Sequence, residues 1–209
     1  MWNLDDQEPA LIKNQLKSLQ TYGFFVGLLL WGYTVFGGTL SFLVVSIFAF
    51  IIVLHSLIDF KTFILPDRIT FPGIFLGIVL PPLTLGHGWI ETIVGFLLGY
   101  GFFWCISVGY EKFRGQPGLG FGDVKLLGML GAWCGALQLP LILLMASLSG
   151  LVMIILRGFF TDKKGNQPMP FGPFLCAGGW LVLLYPVQIW DAILSGRMAL
   201  IEWLTKVLL

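Results

Sequence analysis

Long apolar stretches alternate with short polar ones along this 209-residue chain. Seven apolar segments stand out, and the fifth of them is short and rich in glycine. Most reach the length of about 20 residues that a helix needs to cross a bilayer. The pattern therefore predicts an all-α, polytopic transmembrane helix bundle of about seven helices. The segments span residues 19–37, 39–59, 69–86, 89–110, 124–137, 138–158 and 171–190.

The polar residues at the two ends divide the chain into three parts. A polar arm over residues 1–18 precedes a single membrane domain over 19–190, and an amphipathic tail over 191–209 follows it. Within the domain, small residues recur four positions apart, a spacing typical of helices that pack closely in membranes. These pairs predict a tight bundle: Gly73/Gly77, Gly95/Gly99 and Gly131/Gly135.

Composition agrees with a membrane protein. Hydrophobic residues make up 57% of the chain and charged residues only 11%, with a mean hydropathy of +0.89. A soluble domain carries about 25% charged residues. The net charge of +1 and the lack of a basic arm exclude nucleic acid as an expected partner. The three cysteines are isolated in apolar segments, so we expect them to be small buried residues and expect no metal site.

Basic residues gather on alternate connections between the segments. The connections GGT, GHG and ALQLP contain none. The N-terminal arm and three further loops hold ten: Lys13, Lys17, Lys61, Arg68, Lys112, Arg114, Lys125, Arg157, Lys163 and Lys164. Cytoplasmic loops of membrane proteins are enriched in Lys and Arg. We therefore expect a multi-pass protein of the cytoplasmic (inner) membrane, with these loops and the N-terminus in the cytoplasm and the C-terminus outside.

Two acidic residues lie where apolar segments meet that side. Asp59 ends the second segment, and Asp123 precedes the fifth within GLGFGDVKLLG. An ionisable group at this depth is costly and is a functional candidate. Both acids lie at cytoplasmic helix ends, so they can face each other although 64 positions separate them. Two neighbouring carboxylates can share a proton and activate water for peptide hydrolysis. The alternatives are that Asp123 only caps its helix, or that both acids relay ions in a transporter.

The glycines beside Asp123 favour the first of these interpretations. Gly120 and Gly122 flank Phe121, and residues without Cβ allow a sharp turn and the close approach of a substrate strand. Lys125 follows on the same stretch, and we expect it to orient the loop or to contact a lipid phosphate.

The other polar residues near Asp59 have two interpretations each. Asp67 and Arg68 lie just before the third segment. In one interpretation they help to shape a substrate-binding loop. In the other, Asp67 simply caps the helix and pairs with Arg68 or Lys61. His55 lies one helical turn before Asp59. It tunes the acid, or it is a core histidine that hydrogen-bonds to a neighbour, which is the interpretation we favour.

Three motifs in order resemble those of the type IV prepilin peptidases, membrane aspartyl proteases of the GxGD class. They are LIDFKTFILPDRIT, GLGFGDVKLLGMLGAWCG and MPFGPFLCAGG, and the resemblance covers about residues 20–190. It implies that Asp59 and Asp123 are the catalytic pair and face the cytoplasm. It also implies that the substrates are type IV prepilins or type II secretion pseudopilins. The enzyme then removes their basic leader just before an apolar N-terminal helix, without a cofactor.

The chain departs from the family pattern at its N-terminus. Many bacterial members carry an extra helix and a zinc-binding domain with two CxxC pairs, and they methylate the new pilin terminus with S-adenosylmethionine. Here 18 polar residues precede the first apolar segment. We therefore expect the peptidase alone, from a natural short form or a truncation, with S-adenosylmethionine needed only if methyltransferase activity is present.

Two other functions fit parts of the pattern. Presenilin-like intramembrane proteases share GxGD but also carry Pro-Ala-Leu near the C-terminus, where this chain has MPFGPF instead. A proton-coupled transporter would use membrane acids, but it would be expected to place some of them at the midplane of the bundle.

Overall fold

The computed structural model describes residues 19–114, 120–160, 169–191 and 193–196, and every regular element in these ranges is helical. The polar arm, Gly118, the basic pair Lys163 and Lys164, and the tail beyond residue 196 lie outside the described residues. The helices are α1 (Leu19–Phe36), α2 (Leu40–Thr62), α3 (Asp67–Thr84), α4 (Trp89–Leu97), α5 (Phe103–Arg114), α6 (Phe121–Cys134), α7 (Leu139–Phe160) and α8 (Gly172–Leu184).

These eight helices correspond to the seven predicted segments, and the all-α membrane bundle is confirmed. The fourth segment contains both α4 and α5, because a π-helical turn over Leu98–Phe102 joins them into one helical span, Trp89–Phe113. A short 3₁₀ turn, Ala136–Gln138, leads into α7.

The seventh segment is not the continuous helix that its hydrophobicity predicts. Helix α8 ends at Leu184, and the next helical stretch, Pro186–Gly196, leaves at an angle of 99°. Tyr185 precedes a proline, and the proline ring disfavours helical geometry at the preceding residue. The predicted segment therefore extends too far as a single helix, because the helix ends at Leu184 and not at residue 190.

Three helices among the described residues are long and apolar enough to cross a membrane, or four if the bent pair counts as one span. They are Leu40–Thr62, Trp89–Phe113 and Ala136–Arg157. Helix α6 has 14 residues, as short as its segment predicted, and α8 has only 13. Alone, α8 is shorter than the expected span of about 20 residues, and it reaches that length only together with the stretch after the bend.

Helix α6 lies at the centre of the bundle. From Val124 to Cys134 every residue except Lys125 is buried. Its Trp133 ring lies 4.9 Å from the Phe48 ring of α2, and the Trp133 indole N–H donates to the Gly73 carbonyl of α3 at 2.9 Å. A helix of 14 residues is about 21 Å long, which is shorter than the roughly 30 Å hydrocarbon core of a bilayer.

The predicted glycine pairs bring the neighbouring helices onto α6. A Cβ at Gly95 would collide with the Gly131 carbonyl oxygen, and one at Gly99 would come within 2.5 Å of the Leu127 carbonyl oxygen. On α3, a Cβ at Gly73 would meet the Met129 side chain, also at 2.5 Å. The tight packing expected from the glycine spacing is thus confirmed, and its centre is α6.

Replacing Gly95 with Ala should destabilise the bundle, because backbone atoms of α6 occupy the position of the new methyl group. Overpacking of this kind costs about 1–3 kcal/mol. We expect a lower midpoint of thermal unfolding in detergent. The matched control is Gly27→Ala in α1, where a Cβ meets nothing within 4 Å. Equal midpoints for the two variants would contradict the close packing of α4 on α6.

Candidate functional site

Asp59 lies in the last turn of α2 and is almost fully buried, with 5% of its surface exposed. Its Oδ2 accepts a hydrogen bond from the backbone N–H of Gly172 at 3.0 Å. Gly172 is the first residue of α8, and the N-terminus of a helix carries free N–H groups and partial positive charge. The beginning of α8 therefore supports the Asp59 carboxylate.

Gly172 is a site residue to which the sequence analysis assigned no role. A Cβ at this position would lie 2.5 Å from Asp59 Oδ2 and 3.0 Å from its Cγ. Only glycine allows the backbone N–H to approach the carboxylate so closely. The available signal was the third motif, MPFGPFLCAGG, which contains Gly172.

Asp123 is the third residue of α6, and the N-cap residue of that helix is Gly120. No side chain caps the helix, so the interpretation of Asp123 as its N-cap is wrong. Asp123 is half-buried and lies outside the helices that are long enough to cross a membrane. Burial, and after it the negative charge of Asp59, raise the pKa of the Asp123 carboxyl to about 6.

The two carboxylates therefore belong to one electrostatic site. The charge of Asp59 acts on Asp123, and both charges act on the thiol of Cys176 in α8. The sequence predicted that the ends of α2 and α6 lie near each other, and in the structure the two acids are close enough for the charge of Asp59 to act on Asp123. Cys134 and Cys176 are buried as expected, whereas Cys105 is exposed.

The glycines before Asp123 are needed for space rather than for an unusual backbone. The described glycines with positive φ are Gly37, Gly86 and Gly135, so Gly120 and Gly122 both have φ values open to other residues. A Cβ at Gly120 would lie 3.3 Å from Asp123 Oδ2, and one at Gly122 would lie 3.1 Å from Leu65. Gly120 keeps the carboxylate accessible, and Gly122 lets α6 begin against the α2–α3 loop.

Lys125 forms an ion pair with Asp67 rather than extending toward lipid. Its Nζ lies 2.7 Å from both Asp67 carboxylate oxygens and 5.6 Å from the centre of the Phe71 ring. Asp67 is the first residue of α3, and the N-cap position belongs to Pro66, so Asp67 is not the cap. The structure thus gives Asp67 a partner, Lys125, that the sequence did not suggest. Arg68 is exposed on the same helical turn.

His55 is the core histidine that we favoured. It is fully buried, its Nδ1–H donates to the Ile51 carbonyl at 2.9 Å, and its Nε2 lies 2.8 Å from Thr70 Oγ1. Thr70 belongs to the first turn of α3, as does Asp67. This turn therefore contacts α2 one helical turn before Asp59, and contacts α6 two residues after Asp123. We call residues 67–70 the α3 brace, because they connect the two acid-bearing helices.

The chain matches the type IV leader peptidase family over residues 43–155. The chain belongs to this family. It is 36% identical to a prepilin leader peptidase/N-methyltransferase of Dichelobacter nodosus over 143 residues, which are 68% of this chain and 49% of that protein. It is 39% identical to the protein of that name in Escherichia coli over 141 residues, 66% of this chain and 60% of the relative.

A third relative of that name, from Pseudomonas aeruginosa, is 36% identical over 134 residues, or 64% of this chain and 46% of the relative. The chain therefore spans about half the length of most of these relatives. No solved structure matches it. Asp59 and Asp123 both fall inside the family region, whereas Gly172 follows it.

Replacing Gly172 with Ala should lower the free energy of unfolding by about 1.5–3 kcal/mol, because the methyl group would push α8 away from Asp59 and remove the N–H donor to its carboxylate. The measurement is the midpoint of thermal unfolding in detergent. Gly150→Ala is the matched control, since a Cβ there meets only Phe174, at 4.0 Å. An unchanged midpoint for Gly172→Ala would show that this contact is dispensable.

The α3 brace should couple Asp67 to Lys125 energetically. The two side chains are 45% and 23% exposed, so we expect a coupling of about 0.5–1 kcal/mol in a double-mutant cycle with Asp67→Asn and Lys125→Met. The free energy of unfolding should fall in both single variants, and the charge-reversed pair Asp67→Lys with Lys125→Asp should recover part of it. Lys112→Met, in α5, is the control. Additive losses and no recovery would refute the brace.

Proposed function

We propose that the protein is an aspartic endopeptidase that removes leader peptides from prepilins or pseudopilins. The observation that carries the proposal is the placement of Asp59 and Asp123 at the ends of α2 and α6, where the charge of Asp59 acts on the Asp123 carboxyl. Membership of the type IV leader peptidase family and the names of its relatives support the reaction and the substrate class.

The two acids would divide the chemistry between them. Asp59 accepts an N–H bond and so carries the negative charge, while Asp123, with its raised pKa, holds the shared proton. Asp59 takes a proton from water, and the hydroxyl attacks the scissile carbonyl as Asp123 protonates its oxygen. The tetrahedral intermediate then breaks its C–N bond. The leaving amine takes the proton that Asp59 gained from water, Asp123 regains a proton from a hydroxyl of the intermediate, and the leader is released with a free carboxyl group.

The site would face the cytoplasm of a cell with an inner membrane. Support comes from basic residues near the two acids. Lys61 lies two residues after Asp59, and Lys125 lies two residues after Asp123. Arg68 lies at the beginning of α3, which follows the connection after Asp59. A basic leader at this face would remain in water while the apolar segment after it stays in the bilayer. The peptidase chemistry requires no cofactor, and S-adenosylmethionine would serve only a methyltransferase step.

Replacing either acid with its amide should abolish cleavage. Asp59→Asn removes the base and Asp123→Asn removes the acid, so each should lower the rate at least ~100-fold, as expected for loss of a general acid or base. The measurement is the processing of a co-expressed prepilin, followed by its change in mass. Glu111→Gln, in α5, is the control. Normal processing by either amide variant, inserted in the membrane, would contradict the paired mechanism.

The raised pKa of Asp123 also predicts a change of stability with pH. A carboxyl whose pKa rises from 3.8 to about 6 on folding binds more protons in the folded state between those values. The native protein therefore loses stability as the pH rises from about 4 to 6, by roughly 1–3 kcal/mol. Asp123→Asn should unfold at a higher temperature than the parent at pH 7 and at the same temperature below pH 4. A lower midpoint at pH 7 would be the opposite result.

A further inference from the structure

An apolar groove of about 600 Å³ lies between α1, α2 and α8. Its walls include Phe24 and Leu28 of α1, Ile52 and Phe60 of α2, and Trp180 of α8. We call it the α1–α2–α8 groove. Its volume is in the range of ligand pockets, which are about 300–1,000 Å³.

One end of the groove lies within one helical turn of Asp59 and of Gly172. Ser56 lies three residues before Asp59, and Cys176 lies four residues after Gly172. The side chains of Ser56 and Cys176 are close enough to interact, and the charges of Asp59 and Asp123 act on the Cys176 thiol. A chain held with a peptide bond between the acids would therefore enter the groove directly.

From that end the groove follows α2 and α8 into the apolar part of the bundle. On α2 its lining runs from Phe60 back to Ile52, and on α8 from Pro173 to Leu181, which is about 12 Å along each helix. At the far end, the Trp31 indole N–H donates to the Tyr185 hydroxyl at 2.9 Å, and the Trp31 and Trp180 rings lie 6.4 Å apart. The groove thus offers about two helical turns of apolar wall.

The chemistry of the walls favours a peptide helix over a lipid. No Lys or Arg is among the lining residues, so the walls provide no cation for a lipid phosphate. Ala177 lies on the groove side of α8 and is exposed, and small residues allow two helices to approach closely in a membrane.

We propose that the α1–α2–α8 groove binds the apolar segment that follows the cleavage site of the substrate, and thereby places the scissile bond at Asp59 and Asp123. The inference rests on the proposed function and adds a binding site for the membrane-embedded part of the substrate. The polar leader would lie at the carboxylate end, and the first two turns of the apolar helix would pack along α2 and α8.

The test compares two substrates: a full-length prepilin, and a short peptide with the leader and only a few residues after the cut. Ala177→Trp fills the groove. We expect it to lower the ratio of kcat/KM for prepilin to kcat/KM for the peptide at least ~10-fold, mainly through KM, since tenfold corresponds to about 1.4 kcal/mol of binding. Val152→Trp is the control, on an exposed part of α7 outside the groove. An unchanged ratio for Ala177→Trp would overturn the proposal.

A cross-linking experiment covers the case in which Ala177→Trp does not fold. A photoreactive benzoylphenylalanine replaces Leu28 in an Asp123→Asn background, and purified protein is illuminated with prepilin in lipid vesicles. Cross-links to the apolar helix of the prepilin support the proposal. Cross-links only to lipid, or only to a second copy of the chain, overturn it. If the unmodified protein cleaves neither substrate, the proposed peptidase function itself fails, and this inference fails with it.

Discussion

The close packing of backbones around α6 is the constraint on which the rest of the structure depends. Helix α6 is too short to cross a bilayer alone, and Asp123 lies in its first turn. Gly95, Gly99 and Gly73 allow α4, the π-helical turn and α3 to contact it directly. Since α6 is held from several sides, its first turn has a fixed position. That position brings Asp123 within electrostatic reach of Asp59.

The site itself depends on contacts from two other helices. The α3 brace connects α2 and α6 through His55 and Lys125, while the first residue of α8 donates an N–H to Asp59. A charged group in apolar surroundings is tolerated when it is paired or hydrogen-bonded. These contacts explain how a membrane bundle can keep two acids together, and they leave the Gly120 side of Asp123 accessible.

Hydrophobic pattern and charge were sufficient to predict the helices, their packing glycines and the meeting of Asp59 with Asp123. Long apolar runs and the four-residue spacing of glycines depend only on residues close together in the chain, so they can be read from a single sequence. The ion pair of Asp67 with Lys125 was not predictable in this way, because Lys125 lies 58 positions away in the chain. Gly172 was missed for the same reason, since its role appears only when α8 is placed against α2. Pro186 indicated the break at Tyr185, but it was overlooked because the residues on both sides of it are apolar.

The central claim is that Asp59 and Asp123 act as one pair, and a titration tests it most directly. The pKa of Asp123 can be measured by infrared spectroscopy of its carboxyl band, in the parent protein and in Asp59→Asn. The account predicts a pKa near 6 in the parent protein and a lower value in Asp59→Asn, because removing the Asp59 charge leaves burial as the main cause of the shift. An identical pKa in both proteins would contradict the pairing.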